Sequence, residues 1–276
     1  MTKYFSYKKI KINYKVCGNL EDKNKTTLLF VHGFSNSLSD WNEVISLINE
    51  KYNCIAIDLP GFGKSDSPIE IKYYSQDFLV GLLNKLISSL KLKNIIPVGY
   101  SMGGRIVLSY VVKYHSNVKG IILESSTAGI ISETERIARA RSDYRLAKFI
   151  ESHPIEDFVQ RWVNIDLFES QKRLDESKLN HLRQEKLLLN KVGLINSLIG
   201  FSTGVMSPLW DELPNIKIPV LLISGKLDKK FISVNQKMKL VFYNATLREI
   251  DNCGHNTHLE KPEEFVKILN EFLETF

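Results

Sequence analysis

The stretch IIPVGYSMGGRIVLSYVVKY, residues 95–114, decides how this chain is interpreted. It reads as a buried strand, a sharp turn at Ser101 and a helix that begins at Gly103. Its central letters, GYSMG (99–103), match the pattern G-x-S-x-G. A serine at the apex of such a turn needs small neighbours, and its oxygen projects beyond the sheet near the positive end of the helix. We therefore expect Ser101 to be a nucleophile; the alternative is a serine that only caps the helix.

Strand and helix signals alternate on both sides of this stretch. Apolar runs such as TTLLFV (26–31) and CIAIDL (54–59) are typical of strands buried on both faces, and residues 75–92 carry the apolar stripe of an amphipathic helix. Alternation of this kind implies a parallel sheet with right-handed crossovers. The predicted strands are 5–14 (an edge hairpin), 26–31, 54–59, 95–99, 118–123, 219–224 and 246–250.

The alternation stops between residues 129 and 208, where the sequence is helix-like and charged. This segment contains seven of the nine arginines, whereas the first 104 residues contain none. We expect a helical cap here, inserted into a core that comprises residues 1–128 and 209–276. For any single arginine the alternative is a place on a solvated helix face, because the segment also holds eleven acidic residues. The seven are Arg136, Arg139, Arg141, Arg145, Arg161, Arg173 and Arg183.

Composition and charge exclude several classes of protein. Hydrophobic residues make up 43% and charged residues 25% of the 276 residues, which is ordinary globular usage and excludes wholesale disorder. The net charge of +6 is mild and no block of five Lys or Arg occurs, so no nucleic-acid partner is expected. No apolar run reaches about 18 residues and the amino terminus lacks the apolar region of a signal peptide. We therefore expect a cytoplasmic protein with no membrane insertion.

No cofactor and no metal are expected. The three cysteines, Cys17, Cys54 and Cys253, are odd in number and form no C-x-x-C pair, which argues against a disulfide framework or a zinc site. The run DLPGFGKS (58–65) departs from the phosphate-loop pattern, so it reads as a turn and not as a nucleotide site.

A serine hydroxyl is a weak nucleophile or base unless a histidine and an acid support it. Asp228 follows the strand-like run PVLLISGKLD, and His255 follows TLREIDNCGH. Both are expected on loops at the carboxyl ends of strands, where Ser101 also lies. Glu124, after VKGIILE, is an alternative acid, and His258 is an alternative base.

The letters HGF (32–34) end the first buried strand. We expect them to aim the backbone N–H of Phe34 at a developing oxyanion, together with the N–H of Met102. The ring of Phe34 would then form part of the pocket wall. A simple turn that ends the strand is the alternative.

Five motifs in this order, HGF, DLPGFGKSD, GYSMGG, PVLLISGKLD and CGH, resemble the α/β-hydrolase superfamily. This resemblance implies an α/β fold with a mostly parallel eight-stranded sheet flanked by helices and an inserted helical cap. A narrower resemblance covers the cap as well. The segments GYSMGGR, ERIARARSDYRLAKFI, FVQRWVNIDLFESQ, LRQEKLLLN and GKLDKKF are similar to the 2-succinyl-6-hydroxy-2,4-cyclohexadiene-1-carboxylate synthases of menaquinone biosynthesis.

The narrower resemblance implies a lyase that eliminates pyruvate from 5-enolpyruvyl-6-hydroxy-2-succinyl-cyclohex-3-ene-1-carboxylate. The triad of Ser101, His255 and Asp228 would abstract a proton, and no acyl-enzyme would form. The partner would be a small polycarboxylate. Monomer and homodimer both remain open.

The same resemblance implies a set of substrate-binding residues. Arg139 is the least certain in register, because Arg136 and Arg141 are its alternatives, while Arg145 and Arg173 are expected on the solvated cap surface. The implied substrate-binding residues are Tyr100, Arg105, Arg139, Trp162 and Arg183, in addition to Phe34 and Met102.

The residue types support part of this expectation. Guanidinium groups bind carboxylates through two parallel hydrogen bonds, and the implied substrate carries three carboxylates. Arg105 lies one helical turn beyond Ser101, although it could instead form a buried structural ion pair. A serine carboxylesterase or a C–C bond hydrolase would use the same triad with a more apolar pocket, and a non-catalytic receptor for a small acid is a third hypothesis.

Overall fold

A computed structural model describes residues 2–22, 24–48 and 50–276 of the chain. Within these residues the strands are β1 (Thr2–Tyr7), β2 (Ile10–Cys17), β3 (Thr27–Val31), β4 (Asn53–Ile57), β5 (Ile95–Tyr100), β6 (Ile121–Glu124), β7 (Val220–Gly225) and β8 (Ala245–Ile250). The helices are α1 (Asn42–Leu47), α2 (Gln76–Ser89), α3 (Met102–Lys113), α4 (Glu133–Ser152), α5 (Ile155–Trp162), α6 (Glu176–Leu187), α7 (Lys191–Phe201), α8 (Lys229–Val241), α9 (Thr257–Glu260) and α10 (Pro262–Leu273). Short 3₁₀ helices cover Leu38–Trp41, Ile71–Tyr74, Asp166–Arg173 and Trp210–Asn215.

All eight strands form one sheet in the order β1-β2-β4-β3-β5-β6-β7-β8. The edge hairpin β1–β2 and the pair β2–β4 are antiparallel, and every other neighbouring pair is parallel. The mostly parallel α/β sheet predicted from the alternating pattern is therefore confirmed. Since parallel strands end at the same edge, the loops that follow β3, β5, β6, β7 and β8 converge there.

The central strand β3 shows how the core is divided between the two faces of the sheet. Leu29 and Val31 belong to the apolar cluster that includes residues of α2 and α3, whereas Leu28 and Phe30 belong to the cluster with α1 and α10. All four side chains are fully buried. Burying one such side chain stabilises the fold by roughly 1.5–3 kcal/mol, so this run firmly anchors the loop that follows it.

The helical segment between β6 and β7 lies over the carboxyl edge of the sheet. Its helices α4 and α7 pack together, and Phe158 and Leu194 join the same apolar cluster as α2 and α3. The two connections to the sheet meet, because the Leu209 N–H donates to the carbonyl of Ala128 at 2.7 Å. This contact supports the division that we propose, with a cap at 129–208 and a core at 1–128 and 209–276. No helix among the described residues has both the length and the apolar character needed to cross a bilayer.

Candidate active site

Ser101 lies at the turn between β5 and α3 in a strained backbone conformation. Its φ of +50° and ψ of −106° are rarely adopted by a residue with a side chain, and such strain costs on the order of 1–3 kcal/mol. The neighbouring glycines make the turn sterically feasible. A β-carbon on Gly99 would come within 2.5 Å of the Cα of Gly104, and one on Gly103 would collide with the carbonyl of Val31. The turn therefore explains the need for small residues on both sides of Ser101.

A hydrogen-bonded chain joins the three residues of the expected triad. Asp228 Oδ2 lies 2.6 Å from His255 Nδ1, and His255 Nε2 lies 3.1 Å from Ser101 Oγ. Because the carboxylate accepts from Nδ1–H, the other ring nitrogen is free to accept the serine proton. The other oxygen of Asp228 accepts from the Phe231 N–H at the start of α8, which fixes the carboxylate.

The alternative acid and the alternative base pair with each other instead. Glu124 is fully buried, and its Oε2 lies 2.6 Å from His258 Nδ1. Its Oε1 accepts from the N–H and the hydroxyl of Thr257 and from the His258 N–H, at 2.6 to 3.0 Å. The carbonyl of Glu124 also accepts from the Ser101 N–H at 2.9 Å. Glu124 thus connects the serine turn to the segment that follows His255, and His258 does not reach Ser101 Oγ.

His32 fixes the peptide group that carries the Phe34 N–H. His32 Nε2 accepts from the Leu59 N–H at 3.0 Å, so its Nδ1–H can donate to the carbonyl of Gly33 at 2.7 Å. Burial lowers the pKa of His32, while Asp58 and the Gly33 carbonyl oppose this effect, so the neutral ring is favoured. In a trans peptide the C=O and N–H point in opposite directions, so this contact sets the direction of the Phe34 N–H.

A cavity of about 140 Å³ lies over Ser101 between the sheet edge and the cap. Asp228 is not part of its wall, because this residue lies behind His255. The predicted residues that line the cavity are Phe34, Tyr100, Ser101, Met102, Arg105, Arg139, Trp162 and His255. A larger cleft of about 480 Å³ lies between α6 and the loop after β3 and contains no residue of the triad.

Arg105 is a buried cation in the wall of this cavity. Its Nη1 donates to the carbonyl of Phe201 at 2.7 Å, and the guanidinium lies 4.9 Å from the centre of the Phe201 ring. Burial lowers the pKa of Arg105 to about 9; nearby Arg139 adds to the lowering, and Asp143 opposes it. No ion pair to Arg105 is found among the described residues. The expected alternative, a buried structural ion pair, is therefore not what the structure contains.

Arg139 is the member of the α4 arginine run that reaches the cavity. Its Nε lies 2.9 and 2.7 Å from the two carboxylate oxygens of Asp143, and its side chain stays 42% exposed. Arg136 instead donates to the carbonyls of Ile130 and Ile131. Arg141 lines a groove on the outer side of the cap. Of the three arginines that the sequence left open at this position, the structure therefore places Arg139, and not Arg136 or Arg141, in the cavity wall.

Trp162 lines the cavity and carries a buried indole N–H. Its ring packs against Phe34 with centroids 5.2 Å apart, and its buried Nε1 has no hydrogen-bond partner among the described residues. Tyr100 lies between two histidine rings, with centroids 5.4 Å from His255 and 5.1 Å from His258. Burial raises the pKa of Tyr100 well above its ordinary value, so its hydroxyl stays protonated.

Comparison with known proteins places this geometry in a family. A family model described as the alpha/beta hydrolase fold matches residues 26–262. A protein of Bacillus subtilis (strain 168) with the provisional name 2-succinyl-6-hydroxy-2,4-cyclohexadiene-1-carboxylate synthase is 38% identical over 243 residues, which is 88% of each chain. The chain belongs to this synthase family of alpha/beta hydrolases.

Further comparisons agree with the synthase family. The 2-succinyl-6-hydroxy-2,4-cyclohexadiene-1-carboxylate synthase of Salmonella paratyphi B is 28% identical, over 90% of this chain and 93% of that protein. The solved structure of MenH from S. aureus is 32% identical and has a TM-score of 0.90, over 95% of this chain and 98% of that chain. An esterase from Exiguobacterium antarcticum has a TM-score of 0.83 over 99% and 100% of the two chains, but at 22% identity it shows likeness of fold alone.

One synthase-family residue that the sequence predicted lies away from the cavity. Arg183 is exposed on α6 and does not line the space above Ser101. The side chains of an α-helix point outward at about 100° intervals, and α6 packs so that Leu182 and Lys186 face the larger cleft instead. The role of Arg183 as a substrate ligand therefore stays a prediction.

Several residues of the cavity wall were not found from the sequence. Lys230 and Phe231 line it from the start of α8, and their position directly after Asp228 in GKLDKKF was an available signal. Ser202 also lines it, and its buried hydroxyl has no partner among the described residues. Nothing in the local sequence marks Ser202, because only the packing of α7 on α4 brings it there. Over the described ranges, no group of three or more His, Cys, Asp or Glu is placed to hold a metal ion.

Proposed function

We propose that this protein is a carbon–oxygen lyase of menaquinone biosynthesis that eliminates pyruvate from 5-enolpyruvyl-6-hydroxy-2-succinyl-cyclohex-3-ene-1-carboxylate. The product is 2-succinyl-6-hydroxy-2,4-cyclohexadiene-1-carboxylate. The observation that carries the proposal is Arg105, a buried guanidinium in the same cavity as Ser101 and His255 for which the described residues supply no ion-pair partner. An unpaired buried charge is unfavourable, so an anionic substrate is the occupant that this cavity favours. The proposal keeps the cytoplasmic location expected from the sequence.

The structures of substrate and product define the bonds that change. The ring loses one hydrogen from C2, and the C5–O bond breaks so that the enolpyruvyloxy group leaves C5 with its oxygen. The double bond at C3–C4 becomes a pair at C2–C3 and C4–C5. The C2 hydrogen is acidic because C2 lies between the ketone of the succinyl group and the ring double bond. Removal of this proton places negative charge on the ketone oxygen. The electron pair then expels the enolate of pyruvate, which takes up a proton to become pyruvate.

The triad supplies the base for this step. His255 Nε2, 3.1 Å from Ser101 Oγ, removes the hydroxyl proton as the serine oxygen takes the proton from C2. Asp228 stabilises the imidazolium that results, at 2.6 Å from Nδ1. The proton then passes from His255 to the departing pyruvate enolate. No covalent bond between Ser101 and the substrate is required.

Two backbone N–H groups are assigned to the charge on the ketone oxygen. The N–H of Phe34 is directed by the contact of His32 with the Gly33 carbonyl, and the N–H of Met102 lies at the amino end of α3. Fixed donors aimed at developing charge lower the barrier, because they need no reorganisation during the reaction. The helix end adds its partial positive charge at the same place.

The cations of the cavity are assigned to the carboxylates of the substrate. Arg105 forms no ion pair among the described residues, and Arg139 is held in place by Asp143 but remains partly exposed. Lys230 adds a third positive charge at the mouth of the cavity. A substrate with three carboxylates matches this set better than a neutral ester does.

The test is to incubate the purified protein with the enolpyruvyl intermediate and to follow pyruvate with a coupled lactate dehydrogenase assay. We expect repeated turnovers that release one pyruvate for each substrate consumed, and release that is slower by orders of magnitude with Ser101→Ala. Faster turnover of a neutral p-nitrophenyl ester, with no pyruvate formed, would instead indicate a serine carboxylesterase. Tight binding of the triacid without turnover would indicate a receptor.

A further inference from the structure

A lysine of the cap holds the loop that carries the Phe34 N–H. Lys186 lies on α6, and its Nζ donates to the carbonyl of Ser35 at 3.2 Å and to Asn36 Oδ1 at 3.1 Å. It also lies 3.5 Å from the hydroxyl of Ser35. These contacts join residues about 150 positions apart in the chain and connect the cap directly to the loop after β3.

Ser35 is a point of backbone strain in this loop. It adopts φ +60° and is almost completely buried, with 2% of its surface exposed. This left-handed conformation disfavours residues that have a β-carbon, so it persists only where surrounding contacts hold it. Among the described residues, the donor found for the Ser35 carbonyl is Lys186. A loss of that donor would allow Ser35 to relax towards a right-handed conformation.

Ser35 directly follows Phe34, whose backbone N–H is assigned to the ketone oxygen of the substrate. His32 holds the Gly33 carbonyl at 2.7 Å from the core side, and the next residue after Phe34 is Ser35. A change of φ at Ser35 swings the preceding chain, and with it the Phe34 N–H. The loop is therefore held at two points, by His32 from the core and by Lys186 from the cap.

Two carboxylates near Lys186 favour its charged form. It borders the cleft of about 480 Å³ between α6 and the loop. Burial lowers the pKa of Lys186, while the nearby carboxylates of Asp40 and Glu185 oppose the lowering. Glu185 accepts in turn from the Ser39 hydroxyl at 2.8 Å, which is a second contact between α6 and the same loop region.

We propose that Lys186 is a positioning residue for the elimination, which holds Ser35 and Asn36 from the cap so that the Phe34 N–H stays directed at the developing oxyanion. This inference rests on the proposed function, because it assumes that the Phe34 N–H stabilises the ketone oxygen. It assigns to α6 a role in the chemical step in addition to covering the cavity. Lys186 itself does not contact the substrate.

The chain offers a matched control on the same helix. Lys178 Nζ lies 2.8 Å from Glu43 Oε2, so it also joins α6 to the core, but Glu43 belongs to α1 and not to the loop after β3. Lys178→Met removes the contact with Glu43, and Lys186→Met removes the contacts with Ser35 and Asn36. Each variant also removes one positive charge. Lys186→Arg keeps a donor of similar reach.

The experiment compares kcat and KM for pyruvate release by the wild type and these three variants. We expect Lys186→Met to lower kcat by about 10- to 100-fold with KM within about threefold, since complete loss of one oxyanion donor costs about 10²- to 10³-fold. Lys186→Arg should recover most of kcat, and Lys178→Met should stay within about twofold of the wild type. Unfolding midpoints of all four proteins show whether any loss of kcat follows from a loss of stability.

A second readout separates failure of this inference from failure of the proposed function. A fluorophosphonate forms a tetrahedral adduct on the serine oxygen whose P–O group requires the same donors, so its rate of reaction with Ser101 should also fall in Lys186→Met. If the wild type releases no pyruvate but Lys186→Met still slows this reaction relative to Lys178→Met, the proposed function is wrong and the positioning role stands. If Lys186→Met and Lys178→Met match in kcat and in phosphonylation rate, or if only KM changes, the positioning role is refuted.

Discussion

Replacement of Arg105 by lysine isolates the feature that separates a polycarboxylate lyase from a general esterase. In the folded protein Arg105 donates one Nη1 hydrogen to the Phe201 carbonyl, at 2.7 Å, and the rest of its guanidinium is available to a carboxylate. A lysine at this position keeps the charge but has a shorter reach and no planar pair of donors. If it contacts Phe201, it cannot also hold the substrate through two parallel hydrogen bonds.

The expected loss follows from one charge-assisted contact. Such a contact contributes about 1.5–3 kcal/mol, which corresponds to roughly a 10- to 150-fold fall in kcat/KM for the triacid. The fall should be confined to the anionic substrate, so a neutral p-nitrophenyl ester should react at an almost unchanged rate. Added salt should also slow capture of the triacid, because exposed charges are screened over about 10 Å at 0.1 M.

The matched control for Arg105→Lys is Arg145→Lys. Arg145 is exposed on α4 and lines the groove on the outer side of the cap, so its replacement should leave kcat/KM within about twofold of the wild type. The assay is kcat/KM for both substrates with both variants, at low and high salt. Equal small losses in the two variants, or an equal loss for the neutral ester, would refute the assignment of Arg105 to a carboxylate.

Three further predictions concern the triad and its supports. Ser101→Ala, His255→Ala and Asp228→Asn should each lower kcat by orders of magnitude, with the fold intact by circular dichroism. Double variants should lose little more activity, because the three residues act as one unit. A folded Ser101→Ala protein with near wild-type kcat would contradict this. Glu124→Gln should lower the free energy of unfolding by about 1–3 kcal/mol in urea titrations, because the substitution removes the charge from a buried carboxylate that accepts four hydrogen bonds at 3.0 Å or less. An unchanged unfolding midpoint and slope would refute the anchoring role of Glu124. Burial lowers the pKa of His32 below 6.5, so the unfolded chain takes up a proton more readily than the folded chain. The stability that neutral His32 contributes is therefore present above pH 6.5 and is lost as the pH falls below this value. The free energy of unfolding of the wild type relative to His32→Gln should therefore decrease from about pH 7.5 to about pH 5, whereas a difference independent of pH would argue against a buried neutral ring.

The placement of Ser101 follows from local sequence. A buried strand, a helix and glycines at 99 and 103 favour a sharp turn between them, and the structure contains that turn with φ +50° at Ser101. Asp228 and His255 were also accessible from the sequence, because each follows a strand and parallel strands end at one edge. These inferences depend on short-range patterns and on one rule of sheet topology.

The sequence did not decide in the same way which carboxylate, Asp228 or Glu124, supports the catalytic histidine. Glu124 and Asp228 both follow buried strands, and no local feature separates them. Only the folded chain assigns Asp228 to His255 and Glu124 to His258, through contacts of 2.6 Å in each pair. A hydrogen bond of this kind depends on side-chain directions that several distant segments set together.

By itself, then, the sequence determined the mostly parallel sheet, the serine turn and the set of strand ends where polar residues meet, because these follow from hydrophobic period and from glycine positions. Tertiary structure alone decided that Arg139 faces the cavity while Arg136 and Arg141 do not, and that Arg183 remains exposed. It also brought Lys186 to the carbonyl of Ser35. The physical reason is that a helix in isolation presents its side chains all around its axis, and only its packing against other elements selects the ones that face a site.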